Sequence, residues 1–71
     1  MKDVFENLEK YAPSTLWDEM MYMGEQDGIS LYKHILTRMY INIDVDGNFY
    51  LYDGEDYIET SKETALLHVL N

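Results

Sequence analysis

Residues 39–53 read MYINIDVDGNFYLYD, and their pattern is that of two β-strands joined by a turn. Apolar side chains recur at every second position over 39–45 and again over 48–53, which is the period of a strand. Asp46-Gly47 separates the two runs and is typical of a tight hairpin turn. The stretch therefore predicts an antiparallel hairpin.

The pattern continues toward the C-terminus. Gly54-Glu55 predicts another turn, and residues 56–60 a short third strand. Thr60 and Glu63 have the spacing of a capping box, which predicts a helix over 62–70. We expect this helix to bury its apolar side chains Ala65, Leu66, Val69 and Leu70.

Two helices are predicted before the hairpin. Apolar residues at helical spacing predict a helix over 3–11, which ends before Pro13. Ser14 or Thr15 would cap a second, largely apolar helix that ends at Gly24. On the first helix, acidic residues at three-residue spacing form one stripe, made of Asp3, Glu6 and Glu9.

Residues 30–38 fit two structures. Apolar residues recur there at helical spacing after Ser30, yet Ile29 and Leu31 could instead begin a strand. We favour the helix. The chain is then a single α+β domain spanning residues 1–71, with short helices at the N-terminus, a three-stranded antiparallel meander and a C-terminal helix.

Composition limits the function classes. The 71 residues include no cysteine, so disulfides, thiolate metal sites and thiol nucleophiles are excluded. Residues 1–6 lack the apolar run of a signal peptide, and we find no apolar run long enough to cross a membrane. A small domain without disulfides fits a reducing compartment. We therefore expect a cytoplasmic protein, in the host cytoplasm if it is phage-encoded.

Charge is the strongest compositional feature. Fourteen Asp and Glu face five Lys and Arg, giving a net charge of -9. Such an excess repels nucleic acid and anionic membranes and attracts basic surfaces. We therefore expect no direct nucleic-acid binding, no membrane binding, and a protein partner with a basic, DNA-binding type of surface. The alternative is that the acidity only maintains solubility.

Metal and catalytic sites are weakly indicated. Asp44, Asp46, Asn48 and Glu55 match four ligand positions of a calcium-binding helix-loop-helix loop. Phe49, however, stands where that loop needs glycine, and the flanks are strand-like, so a hairpin explains the segment better. His34 and His68 lie far apart in the sequence, with no second histidine one turn away. We expect no metal, no cofactor and no catalytic residue, because a chain this short leaves little room for a substrate pocket.

The acidic residues are segregated from the basic ones. Residues 11–32 contain four acids and residues 39–61 contain six, and neither block contains Lys or Arg. If Ile41, Ile43, Phe49 and Leu51 face the core, then Tyr40, Asn42, Asp44, Tyr50 and Tyr52 face outward. Aromatic side chains among carboxylates are typical of an interface, although the tyrosines could instead pack across strands under a second layer. The predicted partner-binding residues are Glu25, Asp27, Asp44, Asp46, Tyr50, Tyr52, Asp53, Glu55, Asp56 and Glu59.

A second cluster is apolar and consists of Trp17, Met20, Met21 and Met23. Methionine and tryptophan side chains at this density are typical of a core. If they are exposed instead, they would form a self-association patch, and the protein would be a homodimer.

In size, acidity, lack of cysteine and tyrosine content, the chain resembles small phage-encoded inhibitors that mimic DNA. The resemblance rests on composition and charge layout. It implies a host target whose basic nucleic-acid-binding surface is blocked, such as a sliding clamp, RNA polymerase, a nucleoid protein, a glycosylase or a CRISPR nuclease. An immunity or antitoxin-type protein that covers the active site of a nuclease toxin is the alternative that we keep open.

Overall fold

The computed structural model describes residues 3–70. In chain order its elements are α1 (Glu6–Tyr11), a 3-10 helix (Ser14–Glu19), β1 (Met20–Gln26), β2 (Ile29–His34), β3 (Tyr40–Asp44), β4 (Phe49–Tyr52), β5 (Tyr57–Thr60) and α2 (Lys62–Leu70). The strands form one antiparallel meander in the order β1-β2-β3-β4-β5. The α+β class and the hairpin over residues 39–53 are confirmed, but the sheet has five strands where three were predicted.

The two additional strands replace predicted helices. Residues 20–26 form β1 and residues 29–34 form β2, so the helix favoured over 30–38 is wrong and its strand alternative is right. Asp27-Gly28 joins the two strands with φ values of 51° and 82°, as a type I′ hairpin turn requires. The same Asp-Gly pair that predicted the β3–β4 turn therefore also marks this one. A register shift between Tyr22 and Gly24 bends β1.

The core lies between the helices and one face of the sheet. Leu8, Leu16, Ala65 and Val69 pack against buried strand residues that include Ile41, Ile43 and Phe49. Tyr32 is also fully buried, and its hydroxyl donates to the Val4 carbonyl at 2.8 Å and accepts from the Leu8 amide at 3.3 Å. Because the phenol satisfies these backbone groups, it fixes the start of α1 on the sheet.

The predicted closing helix is confirmed as α2, but its cap differs. The Ser61 hydroxyl accepts from the Thr64 amide at 3.1 Å, so Ser61 caps the helix in place of Thr60. Ala65 and Val69 are buried as expected, whereas Leu70 is 54% exposed. The expectation that Leu70 is buried is therefore wrong, because the core-facing stripe of this short helix ends at Val69.

The β2–β3 loop is organised by a buried histidine. His34 Nδ1 accepts from the backbone amides of Leu36 and Thr37 at 3.1 and 3.2 Å. Nε2 therefore carries the proton in the neutral ring, and it lies 3.3 Å from Glu19 Oε1. His34 thus has a structural role in shaping the loop.

Candidate interaction surface

Antiparallel topology places the turns at two opposite ends of the sheet. We call one the α1 end: it holds the β1–β2 turn, the β3–β4 turn and the start of α1. We call the other the groove end, because a surface groove opens there. It holds the β2–β3 loop over 35–39 and the β4–β5 turn over 53–56. Of the predicted partner-binding residues, Glu25, Asp27, Asp44 and Asp46 lie at the α1 end and Asp53, Glu55 and Asp56 at the groove end. Tyr50, Tyr52 and Glu59 lie on the strands between them.

A cleft at the α1 end brings together acids that are distant in sequence. Asp3, Glu6 and Glu25 line a cleft of about 210 Å³, beside the ring of Tyr22. Sequence reasoning did not assign Asp3 and Glu6 to the site. The acidic stripe on the first helix was visible, but its contact with the β1–β2 hairpin depends on a strand that had been predicted as helix.

The Asp44 side chain accepts hydrogen bonds from the turn that follows it and from the strand after that turn. Its carboxylate accepts from the amides of Asp46 and Asn48, each at 2.9 Å, from Asn48 Nδ2 at 3.1 Å and from the Tyr50 hydroxyl at 2.7 Å. Burial pulls the pKa of Asp44 upward, but these donors outweigh it and the pKa lies below its ordinary value. With its lone pairs occupied by protein donors, Asp44 shapes the hairpin that presents Asp46.

Asp53 has a smaller role of the same kind in the β4–β5 turn. Its Oδ1 accepts from the Asp56 amide at 2.8 Å and from the Glu55 amide at 2.9 Å. These two backbone bonds lower the pKa of Asp53. Glu55 and Asp56 are exposed at the tip of this turn.

The β3–β4 register puts Asn42 opposite Tyr50 and Ile43 opposite Phe49. Ile43 and Phe49 are buried in the core as predicted, but Leu51 is only half-buried and lies outside it, and of the residues predicted to face outward Asn42 is buried. Tyr52 is the most exposed of these outward residues, at 54%, while Asn42 is buried at 1%. The Tyr52 and Tyr57 rings pack across strands with centroids 4.8 Å apart, but Tyr52 is exposed and is not covered by the second layer that the cross-strand alternative included. Tyr52 is therefore the outward tyrosine with most surface to offer a partner.

Tyr50 is tied to the turn and to a neighbouring acid. Its hydrogen bond to Asp44 raises the pKa of Tyr50, and burial and the charges of Asp44 and Glu59 add to the effect. Glu59 is the residue opposite Tyr50 on β5. The phenol is thus held neutral and directed toward the β3–β4 turn.

The apolar cluster is divided by the sheet. Met20 is 6% exposed and belongs to the core, so it is not available for self-association. Met21 and Met23 are exposed on β1. Trp17 is also exposed and donates from Nε1 to the Ala12 carbonyl at 3.1 Å.

Within residues 3–70, no group of three or more His, Asp or Glu side chains is arranged to hold a metal ion. No helix of this same range is long and apolar enough to cross a membrane. The chain matches no protein-family model, no curated protein and no solved structure.

Proposed function

We propose that this protein is a non-enzymatic inhibitor that mimics DNA and binds the basic nucleic-acid-binding surface of another protein through its α1 end. The observation that carries the proposal is the cleft lined by Asp3, Glu6 and Glu25. Gly28 and Val45 also line it, so Asp27 and Asp46, their chain neighbours, stand beside the cleft. Acids from three separate segments thus meet at one end of a small domain.

The charge layout fits a partner that grips phosphates. Duplex DNA presents one negative charge per roughly 1.7 Å of helix axis. Carboxylates held on a helix and two tight turns can engage the same lysine and arginine side chains. The -9 net charge would steer such a partner into contact, and the half-buried Tyr22, which lines the cleft, would then lengthen the complex lifetime.

A second function uses the same features. An immunity-type protein that covers a nuclease toxin also needs acids for a basic active site and an aromatic anchor, and Tyr52 is exposed beside Tyr57. Co-expression separates the two functions. Rescue of cells from a toxin favours immunity, whereas growth arrest without any toxin favours inhibition of a host protein.

The proposal is tested by capture from bacterial lysate at low and high salt, with duplex DNA as competitor. The informative bait carries Asp27→Lys and Asp46→Lys, and the matched control carries Glu55→Lys and Asp56→Lys, which makes the same charge change at the other end. We expect a nucleic-acid-binding partner that DNA displaces, that the first variant loses and that the control retains.

Salt dependence of association provides the second measurement. The Debye length is about 8 Å at 0.15 M salt, so exposed charges are screened steeply over the accessible range. The captured partner should associate more slowly as salt rises, and Asp27→Lys with Asp46→Lys should flatten that dependence. A partner without a nucleic-acid site, no competition by DNA, or an on-rate independent of salt would each contradict the proposal.

A further inference from the structure

A groove opens at the end of the sheet opposite the acidic cleft. β3 and β4 are paired only at Asn42–Tyr50 and Ile43–Phe49, beside their connecting turn, whereas β4 and β5 pair along all four residues of each strand. Away from the turn, β3 and β4 therefore lie less closely joined, and a groove of about 410 Å³ lies there. Its lining includes Leu31, Arg38, Tyr40, Asn42, Tyr52 and Tyr57.

The size of this groove corrects an expectation. A chain of this length was expected to leave little room for a ligand pocket. A volume of about 410 Å³ is nevertheless within the range of small-molecule sites in proteins. The space comes from the separation of two strands and does not require a larger core.

A buried acceptor lies among the groove residues. Asn42 Nδ2 donates to the Tyr50 carbonyl at 3.0 Å, which fixes the orientation of the amide, because a flipped amide would set Oδ1 against that carbonyl. Oδ1 is buried and accepts no hydrogen bond from any residue of 3–70. Buried polar atoms are nearly always paired, so an unpaired carbonyl oxygen in a groove suits a ligand N–H.

Two basic side chains, Arg38 and Lys33, lie at this groove, at the end of the sheet that also carries Asp53, Glu55 and Asp56. The Arg38 side chain forms no ion pair or hydrogen bond within the described residues 3–70, although the chain has fourteen acids. Its backbone φ is 64°, a left-handed conformation that is strained for arginine and that persists most often at functional sites. Lys33 Nζ lies 5.8 Å from the centre of the Tyr40 ring, which lines the groove.

We propose that the groove binds a small organic anion that carries a planar ring with an N–H donor. The ring would lie among Tyr40, Tyr52 and Tyr57, the N–H would donate to Asn42 Oδ1, and the anionic group would pair with Arg38. Because Oδ1 is buried, the ligand has to displace the side chains that cover it. The groove and the acidic cleft have no lining residue in common, so this site does not rest on the proposed inhibitor function.

Three matched probes test the two polar contacts separately. Indole-3-propionate has the ring, the N–H and the charge. Indole-3-propionamide lacks the charge, and 3-(1-naphthyl)propionate lacks the N–H. Titrations of ¹⁵N-labelled protein would follow the Asn42 side-chain amide and the backbone amides of Leu31, Tyr40 and Tyr52. We expect saturable shifts there, with each control binding roughly fivefold or more weakly.

Two variants connect these preferences to residues. Arg38→Gly relieves the left-handed strain, so it should leave the urea midpoint unchanged or raised while it abolishes the preference for the charged indole. Asn42→Leu should abolish the preference for the indole over the naphthyl probe. The site is refuted by absence of saturable shifts at these amides up to about 10 mM probe, by equal affinity for all three probes, or by unchanged binding in Arg38→Gly.

Discussion

The two ends of the sheet are closed by turns of similar sequence, yet they are built differently. At the α1 end, Tyr11 packs its ring over Gly47 and donates to the Val45 carbonyl at 2.8 Å. At the groove end, nothing lies within 4 Å of the position that a Cβ would take on Gly54. One Asp- and Gly-containing turn is thus fastened to a helix, and the other projects from the sheet.

This difference suits the two ends of the sheet to different kinds of binding. The backbone that carries Asp46 is held in place in the free protein, so a partner pays little entropy to order this turn. The β4–β5 turn is held by residues of its own hairpin, through the Asp53 carboxylate and a 3.0 Å hydrogen bond from the Tyr52 hydroxyl to the Gly54 carbonyl, and residues 53–56 are exposed. Similar turn sequences therefore do not imply similar roles, and matched substitutions at the two ends measure how large the difference is.

The largest contrast is expected between the two turn glycines. Both have positive φ, 89° at Gly47 and 103° at Gly54, so alanine is strained at either position. At Gly47 the added Cβ would also stand 2.7 Å from the Tyr11 ring, which the Val45 hydrogen bond holds in place. We expect Gly47→Ala to lower the free energy of unfolding by about 3 kcal/mol and Gly54→Ala by about 1 kcal/mol.

Urea denaturation monitored by Trp17 fluorescence would measure both glycine variants. Tyr11→Leu with Gly47→Ala serves as the control, since removing the aromatic ring should relieve part of the clash and make the two losses less than additive. Equal losses for the two single glycine variants would show that the α1 end is no more tightly packed than the groove end.

The next contrast concerns the aspartates that begin the two turns. Asp44 accepts four hydrogen bonds, and Asp53 accepts two. Asp44→Ala leaves the Asn48 and Tyr50 donors without their acceptor, and we expect it to cost about 2 kcal/mol. Asp53→Ala should cost clearly less, because its two amide donors are exposed and water can replace the carboxylate.

Asp46→Ala is the control for this aspartate pair, because its side chain forms no hydrogen bond within residues 3–70 and the same charge is removed. It should change the urea midpoint little. If Asp46→Ala destabilises as much as Asp44→Ala, the loss at Asp44 reflects charge alone and not its hydrogen bonds.

The sequence predicted the parts of the fold that local pattern controls. The β3–β4 hairpin, the outward tyrosines, β5 and α2 follow from period and turn residues. β1 and β2 were missed because Met20, Met21, Tyr32 and Ile35 also fit helical spacing, and only pairing with the rest of the sheet decides between the two. The Asp27-Gly28 turn was the available indicator.

The candidate site was less predictable, for a related reason. Which acids share a surface depends on strand order, so Asp3 and Glu6 joined Glu25 only once β1 was known to be a strand. The hydrogen bonds that Asp44 accepts within its turn and the unpaired Oδ1 of Asn42 depend on side-chain geometry, which residue spacing does not specify.

The smallest contrast is expected in how far the urea midpoint falls as the pH is lowered. The pKa values of Asp44 and Asp53 both lie below the ordinary 3.8, so the unfolded chain binds protons more readily than the folded protein. Their contribution to stability is therefore complete above the unfolded pKa and is lost as pH falls through the folded one. Asp44→Asn should flatten the decline of the urea midpoint between about pH 5 and pH 2.5 more than Asp53→Asn, because more donors stabilise its charged form.

Relief of repulsion among fourteen acids opposes this decline in every variant, so Asp46→Asn provides the reference for removing one charge. If Asp46→Asn flattens the acid limb as much as Asp44→Asn does, repulsion and not the turn hydrogen bonds governs the pH dependence, and the two ends would not differ in this respect.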